Sequence, residues 1–431
     1  MKIPNLLSLI LLVPAMANAQ QTWSYSQCVD YARANNISLK QARLSAENSQ
    51  LSLEAARAQW QPTLSFSTTQ GYTNTPWAER GHKNSYGSNY GLNAGWTVWN
   101  GGERQATIEQ RSVQAQASEV SALGLETDLE HSILQVYVNL LYSREAIEIN
   151  REAADLSKAQ EERARQLMDA GRLSIVDYAQ IAEQAEQDRY MIVSAEGTYA
   201  TQCTELKRLL ELGIDENIQP QSVDWTREEV LAPLWSLDES YRLALLNDNE
   251  LKAAQLQSEA ARLEEKVAKS SGLPQLSLNA GVGTTYYAPG GAFGTQLKRG
   301  FNENIGLTLS IPILDQKKTK VAVAQARVAA SDADLTRESR QTSLGRDIEA
   351  LYTDVRSAQS RYEAGEKQIE AATLSNDLVN EQFALGLVNT VELLTAHNAL
   401  TAAKRELTQA KYMAMLGKKR IEIYRNNSTT L

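Results

Sequence analysis

The chain has 431 residues, of which 42% are hydrophobic and only 6% aromatic, and its 43 basic against 52 acidic side chains give a net charge of −9 at pH 7. This acidic balance excludes nucleic acid as a favoured partner, because such partners select basic surfaces. None of the 9 prolines lies between Pro76 and Pro220 or after Pro312, so the two longest uninterrupted stretches are free to be helical.

Residues 1–19 have the layout of a secretory signal peptide. Lys2 supplies the charged end, Leu6 to Val13 the short apolar run, and Ala17-Asn18-Ala19 the small-residue cleavage site. The run is too short to cross a membrane, so the sequence predicts an exported protein that begins near Gln20. A disulfide is chemically permitted there, and whether Cys28 and Cys203 form one stays open.

The first half, residues 20–220, alternates helical and strand-like segments. A helix is predicted from Tyr25 to Trp60, followed by a weak strand at Thr63 to Gln70 and a second strand over Asn89 to Val98. A helix of about 65 residues then runs from Glu103 to Met168 and is on the order of 100 Å long. After a turn at Gly171, a further helix is expected to end near Gly213.

A heptad seam marks the long helix as one that packs along its length. Apolar or small residues recur in steps of three, four or seven, as in a coiled coil. They are Leu129, Ile133, Val136, Leu140, Ile147 and Ala154. The second half repeats the seam 215 positions later, by subtraction of the residue numbers, as Leu344, Ile348, Leu351, Val355, Tyr362 and Ile369. Two copies of one fold are therefore predicted, at residues 20–220 and 221–431.

The second half, residues 221–431, has the same order of segments. It predicts a helix from Leu237 to Lys269, two clean strands, and a helical hairpin with its tip at Gly386 and its end near Gly417. The strands are the alternating runs Leu276 to Val282 and Ile305 to Ile311. Tyr137 recurs as Tyr352.

The strands have one apolar face and one small or polar face. In the first half Tyr90, Leu92, Ala94, Trp96 and Val98 alternate with Asn, Gly and Thr. Strands of about ten residues match the thickness of an outer membrane, so the predicted lipid-facing residues are Tyr90, Leu92, Trp96, Leu307 and Leu309. The alternative is two soluble hairpins packed on the helices. Because four strands cannot close a barrel alone, the membrane interpretation requires several chains to share one barrel.

Nothing in the sequence indicates catalysis or a bound cofactor. The 3 histidines, at positions 82, 131 and 397, do not have the spacing of metal ligands, and nucleophile-elbow, phosphate-loop and Cys-x-x-Cys motifs are absent. Adjacent acids such as Glu264-Glu265 are expected to be solvated helix faces. The sequence therefore predicts a protein that is not an enzyme and has no cofactor or metal.

Doubled motifs now identify a family that the chain resembles. They are Ala34-Asn35-Asn36 with Asn247-Asp248-Asn249, Gln61-Pro62-Thr63 with Leu273-Pro274-Gln275, Trp99-Asn100-Gly101-Gly102 with Leu314-Asp315-Gln316-Lys317, and the tip segments Gly171 to Asp177 and Gly386 to Glu392. Their order and spacing resemble those of the TolC-type outer-membrane efflux factors over essentially all of the mature chain.

The resemblance implies an α+β membrane protein and an architecture built from several chains. In that architecture a homotrimer forms one twelve-stranded β-barrel, with four strands per chain, continued by a long α-helical barrel of coiled-coil hairpins through the periplasm. The implied partners are the other copies, outer-membrane lipid, a periplasmic adaptor (membrane fusion protein) and an inner-membrane pump. The implied location is the outer membrane of a Gram-negative bacterium.

The resemblance also implies roles for residues at the hairpin tips. Glu392 matches the position of an acidic ring that gates the periplasmic end, Thr395 stands where the family has a second acid, and Asp177 matches an acid that links neighbouring helices. The hairpin tips at Gly171, Arg172, Gly386 and Leu387 are the implied docking site for the adaptor. Read without the resemblance, both acids are solvated residues near helix starts, where the helix dipole favours them.

Two functions follow as hypotheses. The first is a passive trimeric exit duct of a tripartite efflux or type I secretion system, which a separate pump drives. The second is an exported structural or adhesive coiled-coil protein with soluble strand pairs. The transported substrate, the particular pump and adaptor, and the resting state of the pore are not encoded in any motif.

Overall fold

A computed structural model describes residues 22–77, 83–288, 290–426 and 428–431. The predicted signal peptide, residues 1–19, and His82 lie outside the described residues. The elements of the first half are β1 (Thr22–Trp23), α1 (Tyr25–Asn35), α2 (Ile37–Ala58), β2 (Thr63–Asn74), β3 (Asn84–Trp99), α3 (Glu103–Asp169), α4 (Ile175–Leu210) and β4 (Gln219–Pro220). Those of the second half are α5 (Arg227–Leu231), α6 (Leu237–Asn247), α7 (Asn249–Ser270), β5 (Gln275–Ala288), α8 (Phe293–Arg299), β6 (Asn302–Ser310), α9 (Lys318–Leu385) and α10 (Thr390–Asn426).

The chain forms two compact units, and each takes its segments from both halves of the sequence. The first unit comprises residues 1–40, 126–247 and 344–431, and the second comprises residues 41–125 and 248–343. The first is called here the helical unit and the second the sheet unit. The bounds of these compact units do not coincide with those of the predicted repeats at 20–220 and 221–431.

The two long helices are confirmed, with a correction at one end. α3 has 67 residues and α9 has 68, and each is followed by a return helix. The prediction that the last helix ends near Gly417 is wrong, because α10 continues to Asn426. A Cβ at Gly417 would collide with the Val355 side chain on α9, so this glycine permits close helix packing and does not end the helix.

Each predicted leading helix is in fact two helices. α1 and α2 meet at Asn36, and α6 and α7 meet at Asp248. The Asn36 carboxamide oxygen accepts from Leu39 N–H at 3.1 Å, and the Asp248 carboxylate accepts from Leu251 N–H at 2.6 Å. Each side chain therefore caps a new helix start, and the doubled Asn/Asp motifs mark these breaks.

The helical unit has a continuous apolar core around Tyr137. Leu134, Tyr137, Leu140 and Leu210 are fully buried in it together with side chains of α1 and α10. The predicted seam is confirmed, since Ile133, Val136, Leu140, Ile147, Ala154, Leu344, Ile348, Leu351, Val355 and Tyr362 are all buried, while Leu129 and Ile369 are partly buried. The Tyr137 hydroxyl donates to the Trp23 carbonyl at 2.9 Å, next to the short parallel pair of β1 and β4.

The sheet unit contains an antiparallel four-stranded sheet in the order β2-β3-β5-β6. Its strands have 12, 16, 14 and 9 residues, so the first hairpin is longer than the sequence predicted. The weak run at Thr63 to Gln70 is a full strand, because hydrogen bonding to β3 extends β2 to Asn74. The connection between β5 and β6 contains the short helix α8, which the sequence analysis missed.

Candidate functional site

One face of the sheet is mostly apolar and exposed, with the charged residue Glu303 opposite Val282 at one end of β6. Residues that lie directly opposite each other in antiparallel strands share a face, and the register aligns Phe66, Leu92 and Val282 as well as Trp96, Leu278 and Leu307. On this face Leu64 is 70% exposed, Leu307 65% and Leu309 59%. The predicted lipid-facing residues Tyr90, Leu92, Trp96, Leu307 and Leu309 therefore lie together on one surface.

The opposite face consists of small and polar residues. Ser65, Asn93 and Gly281 lie in one row, and Thr97, Ser277 and Thr308 in another. Glycine and serine leave room beside the sheet, while asparagine and threonine offer hydrogen-bonding groups to water. The sheet therefore presents one mostly apolar face and one face of small and polar residues.

A bulge corrects the prediction at the end of β3. The register passes from Thr97 opposite Ser277 to Trp99 opposite Leu276, so Val98 is unpaired. Because of this extra residue, Trp99 instead of Val98 continues the apolar face. Nearby, Trp96 Nε1 donates to the Trp60 carbonyl at 3.0 Å, and the Arg104 guanidinium lies 4.2 Å from the centre of the Trp60 ring.

The two outer strands of the sheet each have one edge without a partner among the described residues. β2 pairs only with β3, and β6 pairs only with β5. Such an edge presents a row of backbone N–H and C=O groups that can pair with another strand. Placed in lipid, these groups would require that pairing.

The two hairpin tips have the same backbone design. Gly171 and Gly386 adopt φ of 68° and 76°, in the left-handed region. Arg172 N–H donates to the Leu167 carbonyl at 2.8 Å, and Leu387 N–H to the Gln382 carbonyl at 2.9 Å. Together with the glycine N–H bonds to Met168 and Phe383, these contacts form Schellman motifs that satisfy the ends of α3 and α9.

The acids predicted at the gate lie in the first turn of each return helix. Ser174 caps α4 by accepting from Asp177 N–H at 3.0 Å, and its hydroxyl donates to the Asp177 carboxylate at 2.6 Å. Asn389 accepts from Glu392 N–H at 3.0 Å and donates to the Glu392 carboxylate at 3.0 Å. Both carboxylates are thus held at equivalent places by a capping residue.

The helical unit brings the two tips together. A Cβ at Gly386 would lie 3.8 Å from Arg172 Nη2. A small apolar cluster of Leu167, Ile181, Phe383 and Leu393 underlies both tips. Ile175 and Val176 on one tip and Leu387 and Val391 on the other remain 64–73% exposed. Thr395 is also exposed, and its hydroxyl donates to the Val391 carbonyl at 2.7 Å.

Sequence reasoning missed a buried polar pair in the helical unit. His397 Nε2 lies 2.7 Å from Asp188 Oδ2, and the two side chains are 0% and 6% exposed. Burial alone would raise the pKa of Asp188, but the hydrogen bond and charge of His397, with Ser157 and Gln184, hold that pKa below its usual range. The two residues are 209 positions apart, so no local sequence signal could have paired them.

Three further observations concern the described residues only. Cys28 is buried, Cys203 is half-buried, and both are free thiols. Within these residues no three His, Cys, Asp or Glu side chains converge in a way that could hold a metal ion. Across the same residues, none of the helices combines the length and apolar character needed to span a membrane.

Most of this chain matches a known protein family. The sequence pattern of the family described as "Outer membrane efflux protein" matches residues 28–211 and 240–415. Outer membrane protein TolC of Escherichia coli K12 is 22% identical over 421 residues, which are 94% of this chain and 83% of TolC. Alkaline protease secretion protein AprF of Pseudomonas aeruginosa is 28% identical over 184 residues, 42% of this chain and 37% of AprF.

The fold has a counterpart among solved structures. The crystal structure of CusC, described in terms of folding and transmembrane channel formation, matches with a TM-score of 0.82 at 16% identity. The match covers 93% of this chain and 91% of CusC. The helices and the four-stranded sheet thus belong to a fold that is already known from a solved structure.

Proposed function

Because the chain belongs to the outer membrane efflux protein family, whose members lie in the outer membrane of Gram-negative bacteria, we propose that it is a passive trimeric exit duct. In this proposal three chains contribute four strands each to one twelve-stranded barrel, and their helical hairpins form a tunnel through the periplasm. An inner-membrane pump supplies the energy and a periplasmic adaptor joins the two. The duct conducts small molecules or polypeptides.

The observation that carries the proposal is the two-faced sheet with open edges. An exposed apolar surface with Leu64, Leu307 and Leu309 fits lipid, and the face with Ser65, Asn93 and Thr308 fits a hydrated lumen. The unpaired edges of β2 and β6 fit neighbouring copies. A soluble coiled-coil protein, the alternative, would leave this surface exposed to water, where it favours aggregation.

The proposed gate consists of three copies of Glu392 near the tips. One carboxylate from each chain would focus a negative field in the constriction and favour cations. Thr395 lies one turn further along α10 and adds no charge, so the proposed ring has a single layer. Asp177 occupies the equivalent place on the other hairpin and is proposed to link neighbouring helices.

The tips are the proposed docking site for the adaptor. Ile175, Val176, Leu387 and Val391 form exposed apolar patches beside the positive charge of Arg172. An apolar patch edged by charge is typical of a surface that binds another protein. Gly171 and Gly386 hold these side chains in place through the two Schellman motifs.

The first test is the native mass of mature protein extracted from outer membranes in mild detergent, corrected for bound detergent. Three chains per particle would support the shared barrel. A monomer, or a chain found in the periplasm without detergent, would contradict the duct and favour the coiled-coil alternative.

The gate is tested by conductance in planar bilayers. We expect Glu392→Gln to lower the cation-to-anion permeability ratio severalfold, because the ring charge is lost while the amide oxygen can still accept from Asn389. Asp177→Asn, the matched control on the other tip, should change the ratio less. An unchanged ratio in Glu392→Gln would remove this residue from the pore constriction.

A further inference from the structure

The two hairpins of the sheet correspond residue by residue. Thr63 lies opposite Gly95 in the first, and Gln275 lies opposite Ser310 in the second. Subtracting these residue numbers relates β5 to β2 by 212 positions and β6 to β3 by 215. The same two offsets relate every pair of the second hairpin to a pair of the first. The residue pairs of a contact between two hairpins therefore predict the pairs of an equivalent contact elsewhere. Adding or subtracting the two offsets gives the corresponding residue numbers.

The turns that leave the two hairpins also correspond. Gly101 and Gly102 have φ of 66° and 85°, and Gln316 and Lys317, 215 positions later, have φ of 57° and 67°. Asn100 caps α3 by accepting from Arg104 N–H at 3.3 Å, and its counterpart Asp315 accepts from Thr319 N–H at 2.9 Å. The second turn thus keeps a backbone that disfavours Gln and Lys.

Inside one chain, the two hairpins join through β3 and β5. In this junction Gly91 lies opposite Gly283, Asn93 opposite Gly281 and Thr97 opposite Ser277. The turn after β3 is also covered, because a Cβ at Gly101 would collide with the Leu273 side chain in the turn before β5. This junction therefore consists of a strand pair and a turn contact.

Within the described chain, the strand edges and the turn that correspond to these two contacts have no partner. β6 corresponds to β3 and β2 corresponds to β5, yet these two strands have open edges. In the turn after β6, Ile313 is 95% exposed and Leu314 is 90% exposed, whereas Trp99, the counterpart of Leu314, is 48% exposed. An apolar turn in a strained conformation with nothing covering it is unexpected in an isolated chain.

We propose that β6 of one copy pairs antiparallel with β2 of a second copy in the register transposed from the β3–β5 junction. This register places Ile305 opposite Tyr72, Gly306 opposite Gly71, Thr308 opposite Thr69 and Ser310 opposite Ser67. The exposed turn around Gln316 then lies against Gln61, the counterpart of Leu273. The proposal rests on the proposed function and specifies the contact between copies.

The residues themselves favour this register. It sets glycine opposite glycine, as Gly91 and Gly283 are set inside the chain, and threonine opposite threonine. Ile305 and Tyr72 meet on the apolar face. A slip of one residue would turn the small and polar side chains of one strand onto the apolar face of the other, so the two-faced pattern excludes it. Shifts of two residues keep the faces, so the experiment compares the proposed register with both of them.

The test is disulfide cross-linking between copies. In a chain with Cys28→Ala and Cys203→Ala, Thr308→Cys is combined with Thr69→Cys, which is the proposed register. Matched controls combine Thr308→Cys with Ser67→Cys or Gly71→Cys, which lie two residues away on the same face. Thr97→Cys with Ser277→Cys, directly opposite within one chain, is the positive control for oxidation. The native mass of each unoxidised variant is measured in parallel.

We expect the Thr308→Cys/Thr69→Cys variant to form covalently linked chains severalfold faster than either shifted pair. Faster linkage in a shifted pair would overturn the register. Absence of linkage in all three pairs, with a native mass of three chains, would place the contact elsewhere and leave the proposed function standing. A monomeric mass for the cysteine-free parent would overturn both.

Discussion

The helical unit and the sheet unit differ in how far they bury their apolar side chains. Around Tyr137 the helical unit buries Leu134, Leu140 and Leu210 completely within one chain. The sheet unit instead leaves Leu64, Leu307 and Leu309 largely exposed, and among the described residues β2 and β6 each have one unpaired edge. The first region is complete in a single chain, whereas in the proposed duct the second is completed by lipid and by other copies. Substitutions in the first region should therefore mainly lower the unfolding free energy, whereas those in the second should mainly reduce assembly.

The largest effect is expected in the core of the helical unit. Leu140→Ala removes a side chain that is 0% exposed, and the lost transfer energy plus the cavity should cost about 2–5 kcal/mol of unfolding free energy. Thermal unfolding in detergent measures the loss. Leu140→Met, which keeps the volume, should cost less than about 1.5 kcal/mol. Equal losses in both variants would mean that packing volume at this position does not matter.

The next effect tests the sheet surface. Leu307→Arg should cost about 2–4 kcal/mol if the residue faces the middle of the bilayer, and assembly in outer membranes should fall accordingly. Thr308→Arg, the neighbouring residue on the polar face, should assemble with a smaller loss. The amount of assembled protein extracted from the membrane is the measurement. Normal assembly of Leu307→Arg would contradict a lipid-facing position.

A pH-dependent effect is expected from His131 in the helical unit. Burial, reinforced by the charge of Arg420, lowers the pKa of His131 to about 4. The His131 imidazole binds a proton near pH 6.5 in the unfolded chain but only near pH 4 in the folded chain. Stability should therefore decrease as the pH falls between these values, by up to about 3 kcal/mol.

The variant that tests this effect is His131→Phe, which keeps a ring against Tyr424, 4.8 Å away between ring centres. It should show a flatter stability profile between pH 6.5 and pH 4 than the parent. Thermal unfolding at a series of pH values measures both profiles. Parallel profiles would show that other groups cause the acid sensitivity.

The smallest effect is expected at the hairpin tips. Gly386→Ala places a Cβ on a residue with φ of 76°, which should cost about 1–2 kcal/mol. Gly197→Ala inside α4, where the added Cβ would meet nothing within 4 Å beyond the backbone of its own helix and φ is not positive, should instead stabilise by about 0.5–1 kcal/mol. Opposite signs in thermal unfolding would separate backbone strain from the mere addition of a methyl group.

Much of the architecture was predictable because it depends on periodic patterns. The steps of three and four residues around Ile133 and Ile348 predicted the buried seam, and alternation around Leu92 and Leu307 predicted the two faces of the sheet. Gly171 and Gly386 were predictable as tips because a helix end commonly needs a left-handed residue. The positions of Asp177 and Glu392 in capping turns agree with the interpretation that needs no family resemblance, in which both acids lie near helix starts.

The errors in the prediction share a cause. Gly417 does not end a helix; a glycine stands there because any larger residue would collide with the Val355 side chain of another helix. The breaks at Asn36 and Asp248 depend on capping hydrogen bonds that were not recognised within apparently continuous helical patterns. In each case the decisive information is whether a side chain is used for packing or for a backbone hydrogen bond.

The order of the elements, the period of each one and the face that each strand presents could be predicted from the amino-acid sequence, since these properties follow from the local spacing of apolar residues. Tertiary contacts were needed to show that Val98 is bulged, that His397 meets Asp188 and that β2 and β6 are the outer strands of the described sheet. Those outcomes depend on which distant segments meet, and local spacing does not encode contacts between residues that are far apart in the chain.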